Sequence, residues 1–289
     1  MALPAHARLF DDAERTAFAR WALRFALFGL TLLVITIILH RFFDMKTPLA
    51  LNLIALVFAS ETAALVLAGL AVMLIWRRAM LGLPDVVVAI AIALAVFAWP
   101  ALYAVTFFSL PQINDLTTDP SNPPAFQNLV NLRDPRANSG AYPGFDAARA
   151  QIEAYPDIRP IVVDRSPEDV YELARLTARS LRWQIVRNDP PRGDGRGAAA
   201  GYLQAVDRTL VLGLRDDIVI RVLPVDGGGA RIDFRSASRY GLHDFAQNAA
   251  RLRTFSKSYT ARLQASVSRP DRAAPKPGKR RQRKRRRRN

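Results

Sequence analysis

The 289-residue chain contains no cysteine and only three histidines. Without cysteine there is no disulfide scaffold, zinc-thiolate site, iron–sulfur cluster, thiol nucleophile or lipid attached through an N-terminal cysteine. The histidines are His6, His40 and His243. Their scatter excludes a multi-histidine metal centre within one soluble domain, and no cofactor is expected. Acidic residues are also short, 25 against 41 basic ones, for a formal charge of +16. A mean hydropathy of +0.03 beside that charge means apolar and basic residues are segregated along the chain.

The charge is concentrated at the end. Asp271 to Asn289 carries eleven Lys or Arg against one Asp, and Lys279 to Arg288 is basic everywhere except Gln282. Like charges at that density repel and cannot build a core, so residues 267–289 read as a disordered polybasic tail. Such a tail adheres to polyanions in a salt-dependent way, which makes lipid head groups or an anionic envelope polymer its expected partners.

The apolar residues lie in the first third. Phe25 to Leu39, Leu49 to Trp76 and Val86 to Phe108 are three runs, each able to supply the ~20 residues that cross ~30 Å of hydrocarbon. Trp21, Trp76, Trp99 and Tyr103 fall near their ends, as interfacial aromatics do. Pro100 is expected to bend the third helix without breaking it. Arg8, Arg15, Arg20 and Arg24 precede the first span, and Arg77 and Arg78 follow the second. Only Arg41 and Lys46 stand on the other side. This bias puts residues 1–20 in the cytoplasm, residues 21–108 in the membrane and the rest outside. Glu61 lies mid-span, where a charge costs ~2.5–3.5 kcal/mol on insertion scales. It reads as a neutral carboxyl hydrogen-bonded within the bundle or across a dimer, or else as a proton or ion relay.

Residues 109–127, with Pro111, Pro120, Pro123 and Pro124, read as an extended linker. A soluble domain is expected over 128–266. Ile161–Val163 reads as a strand, and Ser166-Pro167-Glu168-Asp169 opens a helix with a serine cap, an N1 proline and acidic residues at its positive end. Trp183–Val186, Gly201–Val206 and Thr209–Leu212 read as strands. Gly193–Gly197 reads as a flexible hairpin loop, because no buried strand precedes it and no helix follows, as a phosphate loop requires. Ile218–Val225 and Ala230–Ser236 form a hairpin around Asp226-Gly227-Gly228-Gly229. A last helix carries Phe245, Ala249, Leu252, Phe255, Tyr259 and Leu263 on one face. The whole reads as three N-terminal transmembrane helices, then an α+β domain with an antiparallel sheet and two helices on one side, then the tail.

A four-residue hairpin loop sets Val225 opposite Ala230, Asp216 opposite Arg239 and Asp217 opposite Ser238. One strand end then gathers Arg235, Ser236, Ser238, Arg239, Asp244 and Asn248 with the two carboxylates. Guanidiniums, hydroxyls and free N–H groups at a helix start can hold an anion. The competing reading is a self-satisfied polar knot, in which Asp216 and Asp217 neutralise the arginines and Asp244 caps the helix. The knot is favoured, because those carboxylates compete with any incoming anion. No catalytic residue is assigned. Adjacent His243 and Asp244 diverge on a helix, and Asp216 and Asp217 point to opposite faces of a strand.

Arg215-Asp216-Asp217-Ile218, the stretch Arg235-Ser236-Ala237-Ser238-Arg239-Tyr240-Gly241-Leu242-His243-Asp244, and then Asn248 and Arg251 resemble the family called domain of unknown function 1499 (DUF1499). The likeness covers roughly residues 161–255, and the segments INDLTTDPSNPPAF and AYPDIRP resemble membrane-anchored bacterial members. Many relatives carry a cysteine near the domain start, which this chain lacks. The resemblance implies a bacterial envelope protein and no established activity; joined to the loop charges, it gives the expectation of an inner-membrane protein with a periplasmic domain. The functional expectation is a non-catalytic envelope module that binds an anionic or lipid-like ligand or a partner protein, a second copy of the chain included. The alternatives are a hydrolase or transferase with its site over Arg235–Asn248, and an inverted topology with the tail on nucleic acid.

Overall fold

The computed structural model describes residues 14–192 and 199–267. Most of the basic tail, the segment containing Arg8 and His6, and the Gly193–Gly197 loop lie outside the described residues. The described residues open with α1 (Ala17–Phe42), α2 (Thr47–Arg78), α3 (Leu83–Ala101) and the short α4 (Ala104–Ser109). Three segments, Ala17–Phe42, Thr47–Arg78 and Leu83–Ser109, are long and apolar enough to cross a membrane. Pro100 does more than bend the third one: the helix is interrupted at Leu102–Tyr103 before α4 resumes. Pro100 has no N–H for the preceding turn and its ring crowds it, and just beyond Leu102 the Tyr103 N–H makes a tighter bond to the Pro100 carbonyl at 3.1 Å.

Small residues bring the helices together. Ala19, Ala22 and Ala26 of α1 pack with Ala64, Ala68 and Ala71 of α2 and with Val86 and Ala89 of α3. In lipid such contacts replace the hydrophobic drive, since acyl chains are as apolar as leucine. Ser60 Oγ donates to the Phe25 carbonyl at 2.9 Å. Glu61 is fully buried over Gly29, where a Cβ would collide with the carboxylate Oε1. The hydrogen bond expected for it within the bundle is not made, and both oxygens lack a partner among the described residues.

The domain is a six-stranded antiparallel sheet: β1 (Asp115–Thr117), β2 (Ile161–Val163), β3 (Gln184–Asp189), β4 (Gly201–Arg208), β5 (Arg215–Pro224) and β6 (Ala230–Ser238). The order is β1-β6-β5-β4-β3, and β2 shares the outer edge of β6 with β1. One face carries Leu203, Ile218, Ile220, Val222, Ile232 and Phe234. It packs on α6 (Pro167–Ser180) and α7 (Gln247–Val267) through Val170, Ala174, Leu252, Phe255 and Tyr259. Ser166 caps α6 by accepting from Asp169 N–H at 3.2 Å, as its sequence predicts.

The stretch read as a linker is part of the fold. It supplies β1, and its end together with the residues that follow covers the sheet face opposite the helices, with Phe126 and Leu129 packing on Val206, Val219 and Ala237. Gln151, on α5 (Phe145–Ala154), closes the free side of β1, accepting from Thr117 N–H at 3.0 Å and donating to its carbonyl at 2.6 Å. An edge strand is thereby left with no open backbone at that residue.

Two local expectations are corrected. Thr209–Leu212 is not a strand but the β4–β5 turn, closed by Gly213 N–H to Thr209 O at 3.1 Å, with Gly213 at φ +71°. The β5–β6 register differs by one residue: Val225 N–H bonds Gly229 O at 2.9 Å, so the loop has three residues rather than four. Gly227 and Gly228 at φ +90° and +89° permit that tighter closure. Asp216 therefore faces Ser238 and Asp217 faces Ala237.

Candidate functional site

Strand alternation divides the predicted site residues between the two faces of the sheet. On the face away from the helices, Arg235 is buried and forks onto Asp115, Nε at 2.9 Å and Nη2 at 2.6 Å. It also donates to the Pro124 and Gly140 carbonyls, both at 3.0 Å, and lies 4.3 Å over the Phe126 ring. Arg239 reaches Asp217, not Asp216, through Nε at 2.9 Å and Nη2 at 2.7 Å, while Arg133 Nε donates to the other oxygen of Asp217 at 2.8 Å. The one-residue register difference is the cause, because it moves Asp217 onto the face of Arg239.

The helix face carries the second network. Ser236 donates to Asn248 Oδ1 at 2.6 Å, and Asn248 Nδ2 donates to Ser238 at 3.0 Å. Arg251 joins Asp216 at 2.6 Å and Asp207 at 2.8 Å. Asp244 accepts from Ala246 N–H at 3.0 Å and Asn248 N–H at 2.8 Å, closing the start of α7. Burial pushes the Asp115, Asp216 and Asp244 carboxyls above their usual range, and the arginines and N–H groups facing them pull back. Nearly every donor in these networks has an internal acceptor. Asp217 has no exposure at all. His243 is held by stacking on Phe245 at 4.8 Å and Phe107 at 5.5 Å, with Nδ1 accepting from Phe245 N–H at 2.8 Å. That ring orientation serves α4 packing rather than a nucleophile at Ser238.

Sequence reasoning missed Asp115 and Arg133 as partners and gave Arg251 no carboxylate. Asp115 stands 120 residues from Arg235, and no local periodicity links them. The acidic and proline-rich segment from Ile113 to Phe126 was the available signal, since the family resemblance extends to it.

A different place in the molecule remains open. The domain sits on the end of the helical bundle through the β4–β5 turn. Arg41 Nη1 donates to Thr209 O at 2.8 Å, and His40 Nδ1 lies 2.6 Å from Leu212 O. Asp44 bridges to Arg215 at 2.5 Å and Arg208 at 3.3 Å. Beside this seam lies a cavity of about 470 Å³ lined by Phe58, Trp99, Tyr103, Leu210, Leu212 and Phe245 among others. Its walls come from α2, α3 and its continuation, the β4–β5 turn and the start of α7. Leu210, at the tip of the turn, is 84% exposed. A cavity of this volume with aromatic and aliphatic walls suits an apolar ligand.

Residues 115–258 match the family model described as Protein of unknown function (DUF1499), beginning at the first residue of β1 and ending inside α7. No curated protein and no solved structure matches the chain. The sheet, the covering segment, α6 and the first part of α7 fall within the matched residues, and the chain thus belongs to the DUF1499 family.

Proposed function

We propose that this protein is a non-catalytic membrane-anchored module whose domain holds the apolar part of a lipid-like amphiphile at the seam with its own spans. The cavity beside the β4–β5 turn carries this reading: it lies between candidate membrane helices and the domain, and its named walls are apolar or aromatic. The polar corner over Arg235–Asn248 is committed to itself, which argues against a hydrolase or transferase there, since an entering anion must displace a buried carboxylate. The loop charges favour a cytoplasmic N-terminus and a domain on the outer face of a bacterial inner membrane. In that setting the polybasic tail adds electrostatic attraction to anionic lipid or envelope polymer.

Native mass spectrometry of the full chain in detergent tests the cavity. Added dioleoylphosphatidylcholine or dioleoylphosphatidylglycerol is expected to give a one-to-one adduct that survives detergent removal. Leu212→Trp, which fills the cavity, is expected to abolish it. An adduct undiminished in that variant, or no adduct with either lipid, overturns the reading.

A further inference from the structure

The polar side of the same seam holds a second cavity of about 250 Å³, between the α1–α2 connection and the sheet end. Its lining includes Asp44, Lys46, Arg133, Asp134, Arg215 and Arg239. We infer that this cavity is an anion site that takes the phosphate headgroup of the amphiphile whose apolar part occupies the neighbouring cavity. The inference rests on the function proposed above for the headgroup's source, and on the cavity's own chemistry for the anion.

Three observations converge on it. Of the four cationic side chains in the lining, Arg133 and Arg239 are held by the buried Asp217 and Arg215 by the exposed Asp44, which leaves Lys46 and, once Asp44 turns away, the Arg215 guanidinium to meet phosphate oxygens. The 32-residue α2 begins at this point. Lys46 at its N-cap position makes no side-chain capping bond, Pro48 has no N–H, and Leu49 N–H returns to the Lys46 carbonyl at 3.0 Å, so this helix end contributes its positive dipole and the Lys46 charge rather than a row of free donors. Arg133 adds a buried positive charge at the cavity wall. Its side chain is 5% exposed, its Nε is committed to Asp217, and its Nη1 serves the Asn138 and Ser139 carbonyls at 2.7 and 2.8 Å. Its Nη2 is buried with no partner among the described residues. That atom has essentially no accessible surface, so Arg133 acts on the cavity through its charge rather than as a hydrogen-bond donor to its contents.

Position links the two cavities. Leu214 lines the apolar one and the next residue, Arg215, lines the polar one. The α1–α2 connection emerges from two candidate membrane helices, so the polar cavity sits where headgroups lie. Asp44 is a rim carboxylate, 72% exposed at its side chain, and can swing from Arg215 as an anion enters.

The test uses the full chain in detergent. In native mass spectrometry, dioleoylphosphatidylglycerol is expected to be retained about tenfold more strongly than dioleoylglycerol, which has the same chains and no phosphate, the effect of one charge-assisted contact. Lys46→Gln and Arg215→Gln, both at the accessible side, are expected to remove that preference while Leu212→Trp removes binding of both lipids. Arg253→Gln on α7 is the control and leaves the preference intact. A parallel melting series with inorganic phosphate separates the sources. Stabilisation of the wild type but not of Arg215→Gln, without lipid preference, assigns the same site to free phosphate. Equal retention of both lipids, unchanged in Lys46→Gln and Arg215→Gln and without any phosphate effect, overturns the anion site and leaves the apolar cavity standing. Loss of all lipid binding with phosphate stabilisation retained sinks the cavity reading and keeps the anion site.

Discussion

The Arg235–Asp115 pair offers the sharpest test of how the domain is held together. Both side chains are buried, 2% and 3% exposed as residues, and Asp115 has one arginine bonded to it while Asp217 has two. Arg235→Met keeps the aliphatic stem but removes the guanidinium that lies over Phe126 and Tyr142, and leaves the Asp115 carboxylate uncompensated. Breaking one partner of a buried pair costs about 3–5 kcal/mol. Against a typical domain stability of about 5–15 kcal/mol, that is a large fraction. For a domain of this size each kcal/mol moves the midpoint by about 2–4 °C, so the melt should fall by about 6–20 °C. Trp183 reports it, being buried in the core with its ring stacked 5.4 Å from Phe255, so its fluorescence follows the domain rather than the spans. Adding Asp115→Asn removes the stranded charge. The double variant should therefore recover about 1–3 kcal/mol relative to the sum of the singles. An Arg235→Met melt within 2 °C of wild type, or strict additivity in the cycle, refutes the claim that this pair is buried and coupled.

Two further outcomes are expected. Arg253 Nε and Nη2 hold Asp157 at 2.6 and 2.8 Å, and this hydrogen-bonded pairing keeps the Asp157 carboxyl below its usual range. A depressed carboxylate stabilises above its unfolded value of about 3.9 and loses that contribution as pH falls through the folded one. With both side chains about half exposed the pair contributes at most ~1 kcal/mol after screening. Arg253→Gln should thus melt slightly below wild type at pH 6 and level with it near pH 2.5; a gap that persists at pH 2.5 contradicts the assignment. For orientation, alkaline phosphatase fused after Ser266 should be active in cells, and activity of a cytoplasm-only reporter at that junction would reverse the topology.

Some elements were legible residue by residue. The three apolar runs needed no partner to be recognised, because length and composition alone decide whether a helix can cross hydrocarbon. Helix α6 announces itself through Ser166 and Pro167, whose cap and fixed φ act within four residues. The hairpin around Asp226–Gly229 was visible as chemistry, but its register was not. Three or four loop residues are equally compatible with that sequence, and the choice moves every side chain across the sheet. Thr209–Leu212 misled for a related reason: its β-branched and apolar residues fit a pleated strand, and only its placement against the bundle end explains why they form a turn there.

Composition and spacing thus determined on their own the segregation of oil and charge, the three apolar helices, the order of strands and helices after Ile161 apart from Thr209–Leu212, and the segment over Arg235–Asn248 that carries the family likeness. Tertiary structure alone decided that a proline-rich stretch becomes the cover of the sheet, that Arg235 finds Asp115 across 120 residues, and that Arg239 takes Asp217. It also created the two cavities at the seam. Local propensity acts over a turn or two of chain, whereas burying a charge or enclosing a space depends on which distant surfaces meet.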